Sequence, residues 1–256
     1  MMSFFSTDRD WEIMARGEPF WSVATWDKFR KQNLTPENLQ EFFQTGEGYV
    51  DSLFQLIRAK IDPKFAPERS LDFGCGVGRV LMPIAKRSGQ AVGVDISETM
   101  LREAHKQLGN FGINNVQLIK GDDTLSSAEG PFDFVHSVIV FQHIPVERGE
   151  VILNELLNRM RPGSVGALHF TYAKGFEPMR PTLRSRWRNF KIRLRTAMRT
   201  LRGYPQMQMN DYSLNVLFRM IQEHGVRRMN VAFTDHDKYY GVLLLFQINP
   251  HDPAFI

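Results

Sequence analysis

The sequence predicts an α/β protein with a mainly parallel sheet of seven strands. From residue 70 onward, short apolar runs typical of strands alternate with segments of helical periodicity. A glycine-rich turn, GCGVG, follows the first of these runs, and the last two runs flank the polar segment TDHDK, as in a hairpin. Alternating strands and helices are typical of parallel sheets with helices on both faces, so we expect the terminal hairpin to add the antiparallel part.

The N-terminal region has a different pattern, which predicts helices rich in aromatic residues between residues 8 and 60. It holds three of the four tryptophans, and one stretch repeats apolar residues at the spacing of an amphipathic helix. Pro63 and Pro67 then interrupt the helical pattern. We therefore predict a helical cap over residues 1–64 and a main domain over residues 65–256. The residues concerned are Trp11, Trp21, Trp26, Val50, Leu53, Phe54 and Ile57.

Seven segments of the main domain are predicted strands. In chain order they read SLDF, AVGVD, VQLIKGD, FDFVHSVIV, VGALHFTY, VRRMNVAF and YYGVLLLFQ. The helix after the glycine turn, VGRVLMPIAKRSG, should close at Gly89, and Ser97 should cap the next helix. A third helix should run to Met160 and end at Pro162-Gly163, and a fourth should run from Ser213 to His224-Gly225.

Composition excludes several classes of protein. Hydrophobic residues make up 43% of the chain and charged residues 23%, as in ordinary globular domains. The single cysteine, Cys75, excludes an internal disulfide framework and a multi-cysteine zinc site, so we expect no metal. No apolar run approaches the length of a membrane span, and the N-terminus does not read as a signal peptide. We therefore expect a cytoplasmic protein.

The glycine turn has the form D-x-G-x-G-x-G, with Asp72 at the end of the first strand. A dinucleotide fingerprint would require a glycine where Arg79 stands, and a pyrophosphate would disfavour a carboxylate beside it. A cofactor with an amino group and a sulfonium suits that carboxylate. Asp95, at the end of the second strand, is placed to accept hydrogen bonds from ribose hydroxyls. Asp122 could accept one from an adenine amino group, with help from Asp123.

These motifs resemble those of the class I S-adenosylmethionine-dependent methyltransferases, which have a Rossmann-like fold. The matching stretches lie between residues 65 and 172 and read LDFGCGVGR, VGVDIS, KGDD and FDFVHSVIVFQHI. The resemblance implies that S-adenosylmethionine (SAM) is the cofactor. Its methionine part would lie against Asp72 and the loop, its ribose on Asp95, and its adenine against the residues after the second and third strands. The implied cofactor residues are Asp72, Gly74, Gly76, Gly78, Asp95, Ile96, Met100, Asp122, Asp123 and Ser137.

Two other interpretations remain open at this stage. Glycine turns are often only tight turns and strand-end aspartates often only cap helices, which would leave a binding protein without catalysis. An NAD-dependent oxidoreductase would also place an acid after the second strand, although Asp72 and Arg79 count against it.

The end of the fourth strand bears on the methyl acceptor. It lacks the D/N-P-P-Y/F signature of methyltransferases that act on amino groups of adenine, cytosine or glutamine. His143 follows the strand, and a neutral imidazole suits a general base at neutral pH. Its alternative roles are a loop histidine bonded to backbone and a histidine beneath the cofactor. The sequence predicts O-methylation of a small molecule, or of one linked to a lipid or a carrier.

A basic segment is inserted after the fifth strand, over residues 173–210. Residues 173–203 carry ten Lys/Arg and one Glu, and the rest of the chain carries 22 basic and 27 acidic residues. Apolar residues recur there at helical spacing, which predicts a basic amphipathic helix over 183–202. It could be a lid over the pocket, a contact to an anionic membrane surface, or a contact to an acidic substrate or carrier. The aromatic side chains avoid the charged face, so nucleic acid is not expected as a partner. The apolar positions are Leu183, Trp187, Phe190, Leu194, Met198 and Leu201.

Overall fold

The protein is an α/β sandwich around one seven-stranded sheet. The computed structural model describes residues 7–176, Met198 and residues 204–249; the basic helix predicted over 183–202 falls outside this range except for Met198. The strands are β1 (Arg69–Phe73), β2 (Gln90–Asp95), β3 (Val116–Lys120), β4 (Phe132–Ser137), β5 (Met160–Lys174), β6 (Met229–His236) and β7 (Tyr239–Gln247).

The sheet order is β3-β2-β1-β4-β5-β7-β6. Strands β1 to β5 pair in parallel, and β7 pairs antiparallel with both β5 and β6. This confirms the predicted fold class, a mainly parallel Rossmann-like sheet with an antiparallel C-terminal hairpin. The chain order reverses between β1 and β4, and such a switch point opens a crevice at the carboxyl ends of the strands.

Helices cover both faces of the sheet. They are α1 (Thr7–Gly17), α2 (Pro19–Val23), α3 (Pro36–Lys60), α4 (Leu81–Ala85), α5 (Glu98–Asn110), α6 (Val146–Asn158) and α7 (Leu214–Glu223). Short 3-10 turns occupy Asp27–Phe29, Lys31–Asn33 and Phe141–His143. Among the described residues, no helix has both the length and the hydropathy that a membrane span requires.

Helix α3 is part of the core of the main sheet. It begins at Pro36 because the Thr35 side chain accepts a hydrogen bond from the backbone of Asn38. Its apolar stripe, the one predicted from the sequence, packs on β4, β5 and β7. The opposite face is covered by α6 and α7. The prediction of a separate cap domain over 1–64 stays a prediction, although α3 shares its core with the domain it was expected to cover.

Several elements differ from their predicted bounds, and three differences matter most. Met160 begins β5 rather than ending α6, because the helix ends at Asn158 and β5 contains Pro162-Gly163 near an irregular register with β4. The helix after the glycine turn is reduced to Leu81–Ala85. The hairpin turn is only Asp237-Lys238, since Thr234–His236 of the predicted loop extend β6.

Candidate active site

A cavity of about 550 Å³ lies at the carboxyl ends of the central strands. Its walls come from the turns after β1, β2, β3 and β4, from α1 and α2, and from the β6–β7 turn. The volume is within the range of small-molecule sites, roughly 300–1,000 Å³. Nine of the eleven site residues predicted from the sequence line it: Asp72, Gly74, Gly76, Asp95, Ile96, Met100, Asp122, Asp123 and His143.

The glycine loop forms the floor of the cavity, and its shape requires glycine. Gly74 and Gly76 have φ angles of 76° and 53°, in the left-handed region. A Cβ on Gly74 would lie 2.3 Å from Cγ2 of Val140, and one on Gly76 would lie 2.9 Å from Cγ2 of Val23. The loop therefore packs between the turn after β4 and helix α2, and the backbone of these two glycines, which carry no side chains, lines the cavity.

Asp95 lies beside this loop with a carboxylate that is only partly used. Its Oδ2 accepts from the Gly76 amide at 2.9 Å, and its Oδ1 accepts from the Ser97 amide at 2.8 Å. Burial raises the pKa of this carboxyl to about 6, although the bonds from Ser97 and Gly76 act in the opposite direction. Each oxygen keeps acceptor capacity, so the pair can receive two further donors from a ligand.

Two charged side chains flank the glycine loop, Asp72 before it and Arg79 after it. Asp72 is 3% exposed, and its Oδ1 accepts from Nδ1 of His136 at 2.7 Å. Arg79 also lines the cavity and donates to the Thr45 hydroxyl at 3.3 Å. The buried Nε of Arg79 has no acceptor among the residues that the structure describes, and burial lowers the pKa of this guanidinium. The cavity therefore offers one anionic and one cationic group within a single loop.

The two acids after β3 are already engaged by the protein. Asp122 accepts from the amide and hydroxyl of Thr124 and from the amide and hydroxyl of Ser126. The bonds from Ser126 and Thr124 lower the pKa of Asp122 to about 2. Asp123 binds Arg148, with contacts at 2.6–3.1 Å.

Two predicted cofactor residues lie outside the lining. Ser137 is fully buried, and its hydroxyl donates to the Phe73 carbonyl at 3.0 Å, so it ties β4 to β1 instead of facing the cavity. Gly78 has a φ of 88°, but it faces Met82 and Ala104. Its role is to turn the chain from the loop into α4.

His143 lies in the 3-10 turn after β4 with both ring nitrogens occupied. Nδ1 donates to the Gln208 carbonyl at 2.7 Å, and Nε2 accepts from the Gln142 amide at 3.3 Å. The Gln142 orientation is fixed because its oxygen accepts from the Thr171 hydroxyl at 2.8 Å. Burial lowers the pKa of His143 to about 4. The ring is therefore neutral at physiological pH, as expected. Its unprotonated nitrogen, Nε2, already accepts a hydrogen bond from Gln142.

Helix α1 forms part of the cavity wall and is held there by polar contacts. Arg148 joins Asp8 of α1 to Asp123, with a 2.9 Å contact to Asp8. Glu12 accepts from the Ser97 and Thr99 hydroxyls, both at 2.7 Å, at the first turn of α5. Burial acts to raise the pKa of Glu12, but these hydrogen bonds prevail and lower it to about 2. The link to α5 is therefore charged at neutral pH.

The remaining walls include apolar side chains that are distant in sequence from the motifs. Trp11 packs edge-on to the His143 ring, with centroids 5.0 Å apart. Met207 and Met209 line the cavity from the last residues of the basic insert, and His236 and Tyr239 line it from the β6–β7 turn. No local pattern in the sequence marks these positions, because each becomes part of the site only through tertiary folding.

The strand order, the glycine turn and the strand-end acids define a class I SAM-dependent methyltransferase fold. The sequence agrees, since residues 71–163 match the family model described as a methyltransferase domain. The same fold occurs in magnesium protoporphyrin IX methyltransferase of Synechocystis, crystallised with SAM, at a TM-score of 0.57 and 19% identity over 93% of this chain and 97% of that one. It occurs also in the N-methyltransferase NodS of Bradyrhizobium japonicum, at a TM-score of 0.56 and 12% identity over 94% and 100% of the two chains.

Curated relatives match over shorter stretches. A 23S rRNA uracil methyltransferase of Alkalilimnicola ehrlichii is 32% identical over 25% of this chain and 15% of its own length. A probable fatty acid methyltransferase of Mycobacterium tuberculosis is 26% identical over 38% of this chain and 23% of its own length. The chain thus spans less than a quarter of either relative.

Proposed function

We propose that this protein is a SAM-dependent methyltransferase that acts on a small molecule, or on a group carried by a lipid or a carrier, at an oxygen atom. The observation that carries the proposal is the cavity floor, where Asp72, the bare glycine backbone and Asp95 face one ligand-sized space. The matched methyltransferase domain and the structural neighbours crystallised with SAM or S-adenosylhomocysteine (SAH) support the same cofactor.

The described residues fit the charges of SAM. The buried Nε–H of Arg79, which has no acceptor among the described residues, suits the methionine carboxylate, and Asp72 suits the ammonium. The free acceptor capacity of Asp95 suits a vicinal diol such as that of the ribose. When bound, SAM supplies a methyl group on a positively charged sulfur that is already an activated leaving group. The protein therefore has to hold the two reactants in line and keep water out.

The proposed binding of the adenine depends more on apolar contacts than on hydrogen bonds to carboxylates. Ile96 and Met100 line the cavity and can contact a flat aromatic base. The Asp122 carboxylate accepts four hydrogen bonds from its own turn, which leaves it little capacity for an adenine amino group. Its assignment to the adenine stays a prediction, as does that of Asp123.

The proposal of a small or apolar acceptor is supported by the cavity walls. Trp11, Met207, Met209 and Tyr239 present aromatic and thioether groups. The neighbour from Synechocystis is named for a small-molecule acceptor, magnesium protoporphyrin IX. A lipid-linked acceptor would bring the protein to a bilayer, and the basic segment 183–202 could then contact anionic headgroups. That contact predicts sedimentation with anionic vesicles at low salt, release by added salt, and no sedimentation with neutral vesicles.

Methyl transfer can be tested without knowing the acceptor. Protein, labelled SAM and a fractionated cell extract are incubated together, and label is counted separately in lipid, polysaccharide, protein, nucleic acid and small molecules. We expect label in the lipid or small-molecule fraction. Label in nucleic acid, or on protein side chains and not on a carried group, would contradict the proposed acceptor class, and a protein that neither transfers label nor binds SAH would contradict the proposed activity.

His143→Gln tests the predicted general base. We propose that His143 takes a proton from the acceptor hydroxyl, which requires Gln142 to release Nε2. The variant should bind SAH normally and turn over at least about tenfold more slowly. Because the pKa of His143 is lowered to about 4, wild-type turnover should show no loss from this group between pH 8 and pH 6. Normal turnover of the variant would contradict the role and leave positioning as the source of catalysis.

A further inference from the structure

A buried hydrogen-bond chain leads from α3 to Asp72. Asp72 and His136 are register partners on the parallel strands β1 and β4, so their side chains project side by side from one face of the sheet. Nδ1 of His136 lies 2.7 Å from Oδ1 of Asp72, and Nε2 lies 3.0 Å from the hydroxyl of Tyr49. His136 has no exposed surface.

The direction of the chain follows from the groups that form it. A carboxylate only accepts, so Nδ1 of His136 carries the proton toward Asp72. In the tautomer with the proton on Nδ1, Nε2 is an acceptor, and the Tyr49 hydroxyl donates to it. Burial, and next the negative charge of Asp72, raise the pKa of the Tyr49 phenol, which keeps this donor protonated. Both the tautomer and the orientation of the imidazole are thereby fixed.

The same helix holds the other charged group of the loop. Thr45, one turn before Tyr49, accepts from Arg79 at 3.3 Å. Gly46, which lies between Thr45 and Tyr49, lets the backbone of α3 approach the backbone of Arg79. A Cβ on Gly46 would lie 2.0 Å from the Arg79 carbonyl oxygen. The helix that carries Tyr49 is therefore locked against the glycine loop, which keeps the Tyr49 hydroxyl in reach of His136.

We propose that Tyr49 and His136 are positioning residues that orient the Asp72 carboxylate toward the amino group of the cofactor's methionine part. His136 fixes one oxygen of Asp72 and leaves the other for the ligand, and Tyr49 holds His136 in the orientation that does so. The proposal rests on the proposed function, because it assigns Asp72 to a SAM-type ligand. Neither Tyr49 nor His136 lines the cavity, so their effect on a ligand has to pass through Asp72.

The test compares two ligands that differ only at the end facing Asp72. SAH carries the amino-acid part, whereas 5′-methylthioadenosine keeps the adenosine and the sulfur but lacks it. Calorimetric titration of the full chain should show that Tyr49→Phe weakens SAH binding by about 3–10-fold, the range expected for one lost hydrogen bond, and leaves methylthioadenosine binding unchanged. Equal weakening of both ligands, or no change in either, would overturn the proposal.

His136 allows a matched pair of variants. His136→Asn keeps an N–H close to the position of Nδ1 and should retain most of the preference for SAH over methylthioadenosine. His136→Leu removes the donor and should lose that preference. Equal preferences in the two variants would overturn the proposal.

Tyr212→Phe is the control for a general loss of stability. Tyr212 is buried on the other face of the sheet, and its hydroxyl donates to the Ile144 carbonyl at 2.9 Å. This variant should lower the melting temperature about as much as Tyr49→Phe without changing the ratio of the two affinities. A changed ratio in Tyr212→Phe would mean that the ratio reports stability, and the proposal would fail. The proposed function has its own readout, since it fails if the wild-type protein does not bind SAH.

Discussion

The acids at the ends of β2 and β3 are alike in sequence and different in the folded protein. Asp95 and Asp122 each follow an apolar strand and each precede a serine or threonine by two residues. Each carboxylate oxygen of Asp95 accepts one hydrogen bond from a backbone amide, and burial raises the pKa of the group to about 6. Asp122 accepts four bonds from its own turn and has a pKa lowered to about 2 by its hydrogen bonds to Ser126 and Thr124.

The difference shows that a strand-end carboxylate is available to a ligand only if the protein leaves acceptor capacity on it. The turn after β2 passes directly into α5, whose cap is supplied by the Ser97 hydroxyl, so Asp95 accepts only the Ser97 amide from that turn. The loop after β3 has no helix to follow it, and Asp122 organises that loop itself. Burial then makes the Asp95 charge costly when no ligand shares it.

The largest expected effect on SAH binding comes from replacing Asp95, and the matching replacement of Asp122 is the comparison. Asp95→Ala removes the acceptors for the ribose and should weaken SAH binding by about 1.5–3 kcal/mol, or roughly 10–150-fold. Asp122→Ala should change it by less than about threefold, because the carboxylate is engaged elsewhere. Isothermal titration of both variants measures the contrast. Equal losses would show that Asp122 binds the adenine as the resemblance implied, and no loss in Asp95→Ala would contradict the site.

The contrast should also appear in the pH dependence of binding. A ligand diol needs the ionised form of Asp95, whose pKa is raised to about 6, so SAH affinity should fall as the pH drops below that value. At pH 7 most Asp95 carboxyls are ionised, whereas at pH 5, one unit below the pKa, only about a tenth are. SAH affinity should therefore fall about tenfold between pH 7 and pH 5.

Asp95→Asn is the control for this pH profile. It should bind weakly and show no such decline, since Asp122, with a pKa of about 2, stays ionised throughout the range. A decline that persists in Asp95→Asn would assign it to another group.

A smaller effect is expected from the contact between α1 and Asp123. Arg148→Gln removes the bridge to Asp8 and should allow α1 to open more readily, so SAH should dissociate about two- to threefold faster. Stopped-flow displacement measures the rate. Arg219→Gln, which breaks an exposed ion pair with Glu223 on α7, should leave the rate unchanged. Equal rates in all three proteins would show that α1 does not limit release.

Local patterns predicted the parts of the site that are local in the chain. The ends of β1 and β2, the glycine turn and the Ser97 cap depend on neighbouring residues, and all of them are found as expected. The engagement of Asp122 is local as well, since Thr124 and Ser126 stand two and four residues after it and could have been recognised as an Asx-type turn.

The rest of the site depends on contacts between distant segments. Glu12 meets Ser97 across 85 residues, and Arg148 meets Asp8 across 140. His136 is one strand position within a buried run, and nothing in that run distinguishes a ring bonded to Asp72 from an ordinary core residue. The start of β5 at Met160 was misplaced for a similar reason, because the strand that pairs with it is β4, a separate segment of the chain.

The most direct test of the central claim is equilibrium binding of SAH to the wild-type protein, in competition with NAD⁺. The arrangement of Asp72, the glycine loop and Asp95 predicts one saturable site for SAH that excess NAD⁺ does not displace. Displacement by NAD⁺, or the absence of any SAH binding, would contradict the assignment of the cavity to SAM.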